Sequence, residues 1–219
     1  MSDHAPEMTD LATIVILVRH GQSTWNAAGR WQGQGDPPLS DVGREQARVV
    51  AQRLRGEPIA ALYASDLRRA AETAEIIGQT IGLRPQLDPR LRELDVGGWS
   101  GMTIEEIAER FPEQYRAWRN YEDVRPGGGE MFREMRQRAA AALEQIAGAH
   151  PGRTVCLVTH GGIVYALRGH ALGQGLGPEL FQGLPPNRNT AVTTLHLEDG
   201  TWRVGQLMDA GHLDEAGDQ

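Results

Sequence analysis

The sequence predicts an α/β fold, a three-layer sandwich with a mostly parallel mixed sheet and helices on both faces. Three observations carry that expectation. Apolar, β-branched runs at 12–19, 59–64 and 154–159 lack polar alternation, the pattern of strands buried on both faces of a parallel sheet. Stretches with helical spacing separate and follow these runs, and strand–helix alternation marks this fold class. Segments 190–197 and 201–207 flank Glu198-Asp199-Gly200, a hairpin signal.

Taken in order, the chain opens with a polar stretch over 1–10, expected to be frayed, and then the strand 12–19. A Gly- and Gln-rich loop covers 21–38. Ser40 reads as an N-cap for a helix to about Arg55, with Val42, Ala47, Val50 and Leu54 at helical spacing. After the strand 59–64, Ser65 reads as the cap of a second helix that ends at Gly82 and sets Leu67, Ala70, Ala71, Ala74 and Ile77 on one face. The segment 83–129 is rich in Gly, Pro and aromatics, with short helices near 104–110 and 113–121. Segments of this kind, lying over a sheet end, shape pockets. A long helix over 130–149, the strand 154–159, a helix over 163–172 and the hairpin complete the order. The acidic end from about 210 is expected to be flexible, and 1–219 to form one domain.

Composition removes several function classes. The net charge is -7 with no block of like charge, so neither nucleic acid nor a membrane surface is an expected partner. All 22 basic residues are Arg, which excludes Schiff-base and phosphate-loop lysines and leaves any anion site to Arg, His and backbone amides. Cys156 is the single cysteine and sits inside an apolar run, the position of a small buried hydrophobe. No stretch near the start has the length of a membrane span or the basic flank of a secretory signal, so a cytoplasmic protein is expected.

Two strand runs end in a histidine, as Leu17-Val18-Arg19-His20-Gly21 and Leu157-Val158-Thr159-His160-Gly161-Gly162. Ligands of open α/β sheets sit at the carboxyl ends of strands, so the two histidines are expected to meet at one pocket. A transferring phosphoryl group spreads negative charge over its oxygens, and catalysis consists mainly of holding it in line and neutralising that charge. Arg19 suits the second task, with Gln22, Ser23 and Asn26 close behind. A neutral His20 can serve as nucleophile through a phosphohistidine. With Ser65 as cap, Arg69 would lie one turn into its helix and join Arg19, the helix N-terminus adding positive potential, while Arg68 would point away. An acid that protonates the leaving oxygen and then activates water is also needed, and Glu93 is the first candidate, Asp95 the second. A metal centre built on His20, His160, Glu93 and Asp95 fits no ligand spacing, and Arg19 would repel the cation.

These motifs resemble the histidine phosphatase superfamily in its phosphoglycerate-mutase-like branch. Val18-Arg19-His20-Gly21-Gln22-Ser23-Thr24-Trp25-Asn26 is the specific signature. It is followed in order by Asp36 to Ser40 with Gly43, Ser65 to Ala70 with Thr73, Leu91 to Gly101, and His160-Gly161-Gly162. The resemblance covers about residues 13–208. It implies that His20 is phosphorylated, that Arg19, Arg69 and His160 complete the phosphate pocket, that Glu93 is the proton donor, and that Asn26, Gln32, Gly33 and Gly161 touch phosphate or substrate.

Within that branch a phosphatase is favoured over a phosphoglycerate mutase dependent on 2,3-bisphosphoglycerate. Mutases carry Glu where Gln22 stands and a longer basic insertion after the proton donor, whereas Glu93 is followed by the compact Leu94-Asp95-Val96-Gly97-Gly98-Trp99. The expected substrate is a small phosphomonoester, with a sugar acid phosphate suggested by the resemblance. Trp31, Phe111, Tyr115, Trp118, Met131 and Phe132 are candidates for its outer pocket. No cofactor or metal is expected, and the edge strands of the terminal hairpin are suited to a homodimer.

Overall fold

A computed structural model describes residues 12–215. Its strands are β1 (Thr13–Arg19), β2 (Ile59–Ala64), β3 (Pro85–Leu87), β4 (Thr154–Thr159), β5 (Val192–Glu198) and β6 (Thr201–Val204). They form one sheet in the order β3-β2-β4-β1-β5-β6. The pairs β1 with β4, β4 with β2 and β2 with β3 are parallel, and β5 runs antiparallel to both β1 and β6. The sheet is therefore mixed and mostly parallel. Asp199 and Gly200, with φ of 48° and 72°, make the two-residue turn between β5 and β6, the geometry that matches strand twist.

The helices are α1 (Thr24–Ala27), α2 (Asp41–Arg53), α3 (Arg68–Ile81), α4 (Ile104–Arg110), α5 (Pro112–Arg119), α6 (Phe132–Ala149), α7 (Gly161–Ala171) and α8 (Gly211–Glu215). Successive side chains of a strand point to opposite faces, and the two central strands use this to build two cores. Ile16, Val18, Cys156 and Val158 pack against Val50 and Ala51 of α2 and Ala70, Ala74 and Ile77 of α3. Val15, Leu17, Val155 and Leu157 face Met135, Leu143 and Ile146 of α6 and Ile163 and Leu167 of α7. Each such side chain contributes about 1.5–3 kcal/mol by leaving water. Cys156 belongs to the first core, where burial pushes its thiol up to about 12.

Several expectations change. Val42 is 55% exposed, because the buried row of α2 runs through Gly43, Ala47 and Val50, one position along. Ala71 is only partly buried, and Thr73 joins Ala70, Ala74 and Ile77 on the inner face of α3. Ser65 does not cap α3. Leu67 holds that position without a side-chain bond, and Asp36 Oδ1, reaching from the loop, accepts the Arg68 N–H at 2.7 Å. The loop 21–38 contains the short helix α1, capped by Ser23, and β3 lies within 83–129. The chain from 210 is not frayed through Glu215: α8 buries His212, which bonds to Thr190. The expected fraying of 1–10 falls outside the described residues. Among the described residues no helix is long and apolar enough to cross a membrane.

Candidate active site

Strands β1 and β4 lie side by side with Arg19 opposite Thr159, so His20 and His160 leave the sheet at one level. Their rings meet edge to face, with centroids 5.1 Å apart. His20 is 2% exposed, and its Nδ1 lies 2.7 Å from the carbonyl oxygen of Gly21. A carbonyl can only accept, so Nδ1 carries the ring proton and Nε2 keeps its lone pair. Arg69 Nε donates to that lone pair at 3.2 Å. Burial, followed by the charges of Arg69 and Arg19, holds His20 well below the usual 6.5, which leaves a neutral imidazole at neutral pH.

His160 is fully buried, and its Nε2 lies 2.8 Å from Ser65 Oγ. That hydroxyl also accepts the Leu67 N–H at 3.3 Å. Nδ1 is buried with no partner. Arg19 is in a similar state: its Nη1 donates to the carbonyl of Asn187, while Nε is buried and unpartnered. A buried donor without a partner costs about 1–3 kcal/mol, and Arg19 Nε, on a residue of the cavity wall, is suited to stabilising an oxyanion. Arg69 is lowered to about 10, mainly by burial and partly offset by Glu93 and Asp36. It remains charged at neutral pH.

Arg69 also fixes the loop after α1. Its Nη1 donates to Gly35 O and its Nη2 to Gly33 O, both at 2.8 Å, which seats Gln32 and Gly33 beside the histidines. Because Asp36 occupies the first amide of α3, the positive potential here comes from Arg69 more than from the helix end anticipated from sequence. Arg69→Ala is expected to cost about 2–4 kcal/mol of transition-state stabilisation, the scale for one preorganised charge donor. Arg68→Ala, on the exposed side of the same turn, should leave kcat/KM within a few-fold. Equal losses in kcat/KM for the two would contradict this placement.

Glu93 reaches the site from the other side. Its Oε1 accepts the Leu94 N–H at 2.9 Å and its Oε2 the Gly162 N–H at 3.1 Å, at the first turn of α7. A Cβ at position 162 would overlap Oε1, so the glycine leaves the Glu93 carboxylate room to sit against this turn. Arg138 of α6 steadies the segment, donating to the carbonyls of Arg90, Arg92 and Glu93 at 2.6–2.9 Å. Asp95, the second candidate acid, instead accepts the Gly97 N–H at 2.9 Å in a turn and is absent from the cavity wall.

A cavity of about 540 Å³ joins these groups. Of the anticipated residues, Arg19, His20, Asn26, Gln32, Gly33, Arg69, Glu93 and Gly161 line it. His160 lies behind the wall, against His20. Gln22 turns away, where its Oε1 accepts from Ser40 Oγ at 2.8 Å. Ser23 is buried, capping α1 and donating to Gln32 Oε1 at 2.7 Å, so it places Asn26 and Gln32 and does not face a substrate. Trp31, Trp118 and Phe132 line the cavity as anticipated, whereas Phe111 and Tyr115 pack on the core residue Trp99 and Met131 is not in the wall. Sequence reasoning missed Tyr165, Phe181 and Asn187 in the lining, and Asn189, whose Nδ2 donates to His20 O at 2.9 Å. The run Pro185-Pro186-Asn187-Arg188-Asn189, just before the strand next to β1, is the signal that marks the last two. Among the described residues no group of three or more His, Cys, Asp or Glu converges as metal ligands.

Comparison with known proteins adds to the geometry. The family model of the histidine phosphatase superfamily (branch 1) matches residues 15–210. The metal-independent phosphoserine phosphatase of Arabidopsis thaliana is 40% identical over 209 residues, covering 94% of this chain and 85% of its own. Phosphoglycerate mutase-like protein 4 of the same plant is 39% identical, covering 96% and 91%. A mycobacterial glucosyl-3-phosphoglycerate phosphatase, solved with VO3, superposes with a TM-score of 0.83 at 32% identity, covering 90% of this chain and 99% of its own.

Proposed function

The chain belongs to the histidine phosphatase superfamily, and on that premise we propose that the residues around His20 carry a two-step hydrolysis of phosphomonoesters. The chain is a phosphatase; the proposal concerns how it acts and on what. The observation that carries the mechanism is the protonation of His20, with Nδ1–H tied to Gly21 and the Nε2 lone pair held among arginines. Nε2 attacks phosphorus, forming the P–N bond as the ester P–O bond breaks. Arg19 and Arg69 take the charge of the phosphoryl oxygens, and His160, packed against His20, completes the pocket. Glu93 gives its proton to the leaving oxygen, which departs as an alcohol. The resulting carboxylate takes a proton from water, the hydroxyl attacks phosphorus, the P–N bond breaks, and inorganic phosphate leaves with His20 restored.

The cavity lining favours a substrate whose phosphate is its one anionic group at the site. Besides Arg19 and Arg69, the lining has one further cation, Arg30, whose Nη1 donates to Gly101 O at 2.6 Å and to Glu106 at 3.1 Å. A sugar acid phosphate, phosphoserine or phosphoglycerate brings a carboxylate for which Arg30 is the single further cation of the lining. The same shortage weighs against a mutase, which has to hold a second anionic group while the phosphoryl group is passed back. We place this activity in a single domain, acting in the cytoplasm as the lone buried thiol of Cys156 suits.

A panel of aryl, sugar, phosphoglycerate and phosphoserine monoesters, assayed for phosphate release, tests the reading. Release is expected without 2,3-bisphosphoglycerate and in the presence of EDTA, with the carboxylate-free esters ahead. Interconversion of 3- and 2-phosphoglycerate outrunning phosphate release when the bisphosphate is added would establish the mutase instead.

A further inference from the structure

A second hollow of about 350 Å³ adjoins the catalytic cavity and shares Leu94, Trp118, Phe132 and Phe181 with it. Its remaining wall is mostly apolar, from Tyr121, Val124, Pro126 and Leu176, with Arg119, Glu122 and Asp123 as its polar residues. Phe181 is the hub of the partition. Its ring stacks on Tyr121 at 5.6 Å and 19°, and meets Phe132 at 5.5 Å and Tyr165 at 5.3 Å. Tyr121 is held at φ 61°, a left-handed conformation that costs a non-glycine residue about 1–3 kcal/mol and is retained where its neighbours dictate it. The strain here aims an aromatic ring at the hub between two hollows.

We infer that this hollow is a second chamber of the active site and receives the far end of the leaving group, so that the preferred substrates are monophosphates of long or polycyclic apolar alcohols. The inference rests on the hydrolytic reading above and extends it. The phosphate end is fixed by Arg19, His20 and Arg69 at the bottom of the first cavity. From there the path past Leu94, Trp118 and Phe132 presents aromatic and aliphatic surface. The charged residues of the second wall, Arg119, Glu122 and Asp123, give it no net positive charge, and Asp123 is bound to Arg133 at 3.1 Å. A neutral apolar tail gains from this mostly apolar surface, whereas an anionic tail gives up hydration for a wall without net positive charge.

Esters that differ only in length provide the test. The kcat/KM values of ethyl, butyl, hexyl and octyl phosphate, below micelle-forming concentrations, are expected to rise with each added methylene by up to about fourfold and then level off when the chamber is full. Val124→Trp and Leu176→Trp, which fill the chamber from opposite elements, should each collapse the octyl-to-ethyl ratio at least tenfold. Circular dichroism would establish that both variants are folded. A wild-type profile that is flat with length, or a length dependence that survives both tryptophans, would overturn the chamber. Failure of every ester in the series, ethyl phosphate included, would instead strike the hydrolytic reading itself, so the two failures are distinguishable.

Discussion

Replacing His20 with alanine is expected to abolish turnover, with a loss of about ten-thousand- to million-fold, the range for removing a covalent nucleophile. Rapid quench of the wild-type enzyme with labelled ester into alkaline detergent should trap a base-stable, acid-labile phosphoryl group, and the variant should trap none. His20 carries no essential packing role: its one bond to the backbone, to Gly21 O, is local, and its neighbours Arg69 and Arg19 oppose rather than require a charge on it. The variant should therefore unfold cooperatively, as the wild type does. The pH profile supplies a second check. Burial and the two arginines lower the His20 pKa, so protonation silences the nucleophile only well below pH 6.5, and the acid limb of kcat/KM that His20 governs lies there. Removing the Arg69 charge relieves part of that depression, so the limb should move toward higher pH in Arg69→Ala. An acid limb at or above 6.5 in the wild type, or full activity in His20→Ala, would assign the nucleophile elsewhere.

The parts of the site that sequence reveals are those fixed by short-range patterns. Uninterrupted apolar runs gave β1, β2 and β4, and because parallel neighbours in register end together, the histidines that follow β1 and β4 had to lie close. Glu93 and Arg69 stand in motifs that are weak signals alone and point to chemistry through their company with the two histidine junctions. What sequence could not reveal depends on partners far along the chain. Ser65 has the composition of a cap, yet its hydroxyl belongs to His160, 95 residues on, and the capping falls to Asp36. Gln22 sits in the motif of His20, but Ser40 of the next helix takes its side chain. Phe181 and Asn187 come from a segment without periodicity and enter the cavity only because that loop folds back over α6 and α7. The aromatic residues show the same limit: Trp31 and Trp118 line the cavity while Phe111 and Tyr115 support Trp99, a division that spacing does not encode.

Replacing Glu93 with glutamine should separate the two chemical steps. Glutamine keeps the shape but cannot supply the proton, so alkyl phosphates, whose leaving oxygen needs it, should lose about a hundred- to ten-thousand-fold in kcat/KM. The phosphorylation step with p-nitrophenyl phosphate should be nearly spared, because nitrophenolate leaves without protonation. The base that activates water is missing as well, so phospho-His20 should accumulate. The expected trace is a burst of nitrophenol, in amplitude close to one per active site, followed by slow turnover. The substitution also has a structural consequence. Both carboxylate oxygens of Glu93 accept backbone N–H groups, from Leu94 and Gly162, and an amide nitrogen cannot take either place. One donor loses its partner, with an expected stability loss of about 1–3 kcal/mol, measurable as a lower denaturant midpoint at unchanged slope. Asp95→Asn keeps an oxygen for the Gly97 N–H and lies outside the cavity, so it should leave stability nearly unchanged and produce no burst. If Asp95→Asn shows the burst and Glu93→Gln hydrolyses both kinds of ester at wild-type rates, the acid is Asp95, and the carboxylate that Gly162 and Leu94 hold at the cavity is a structural brace for α7.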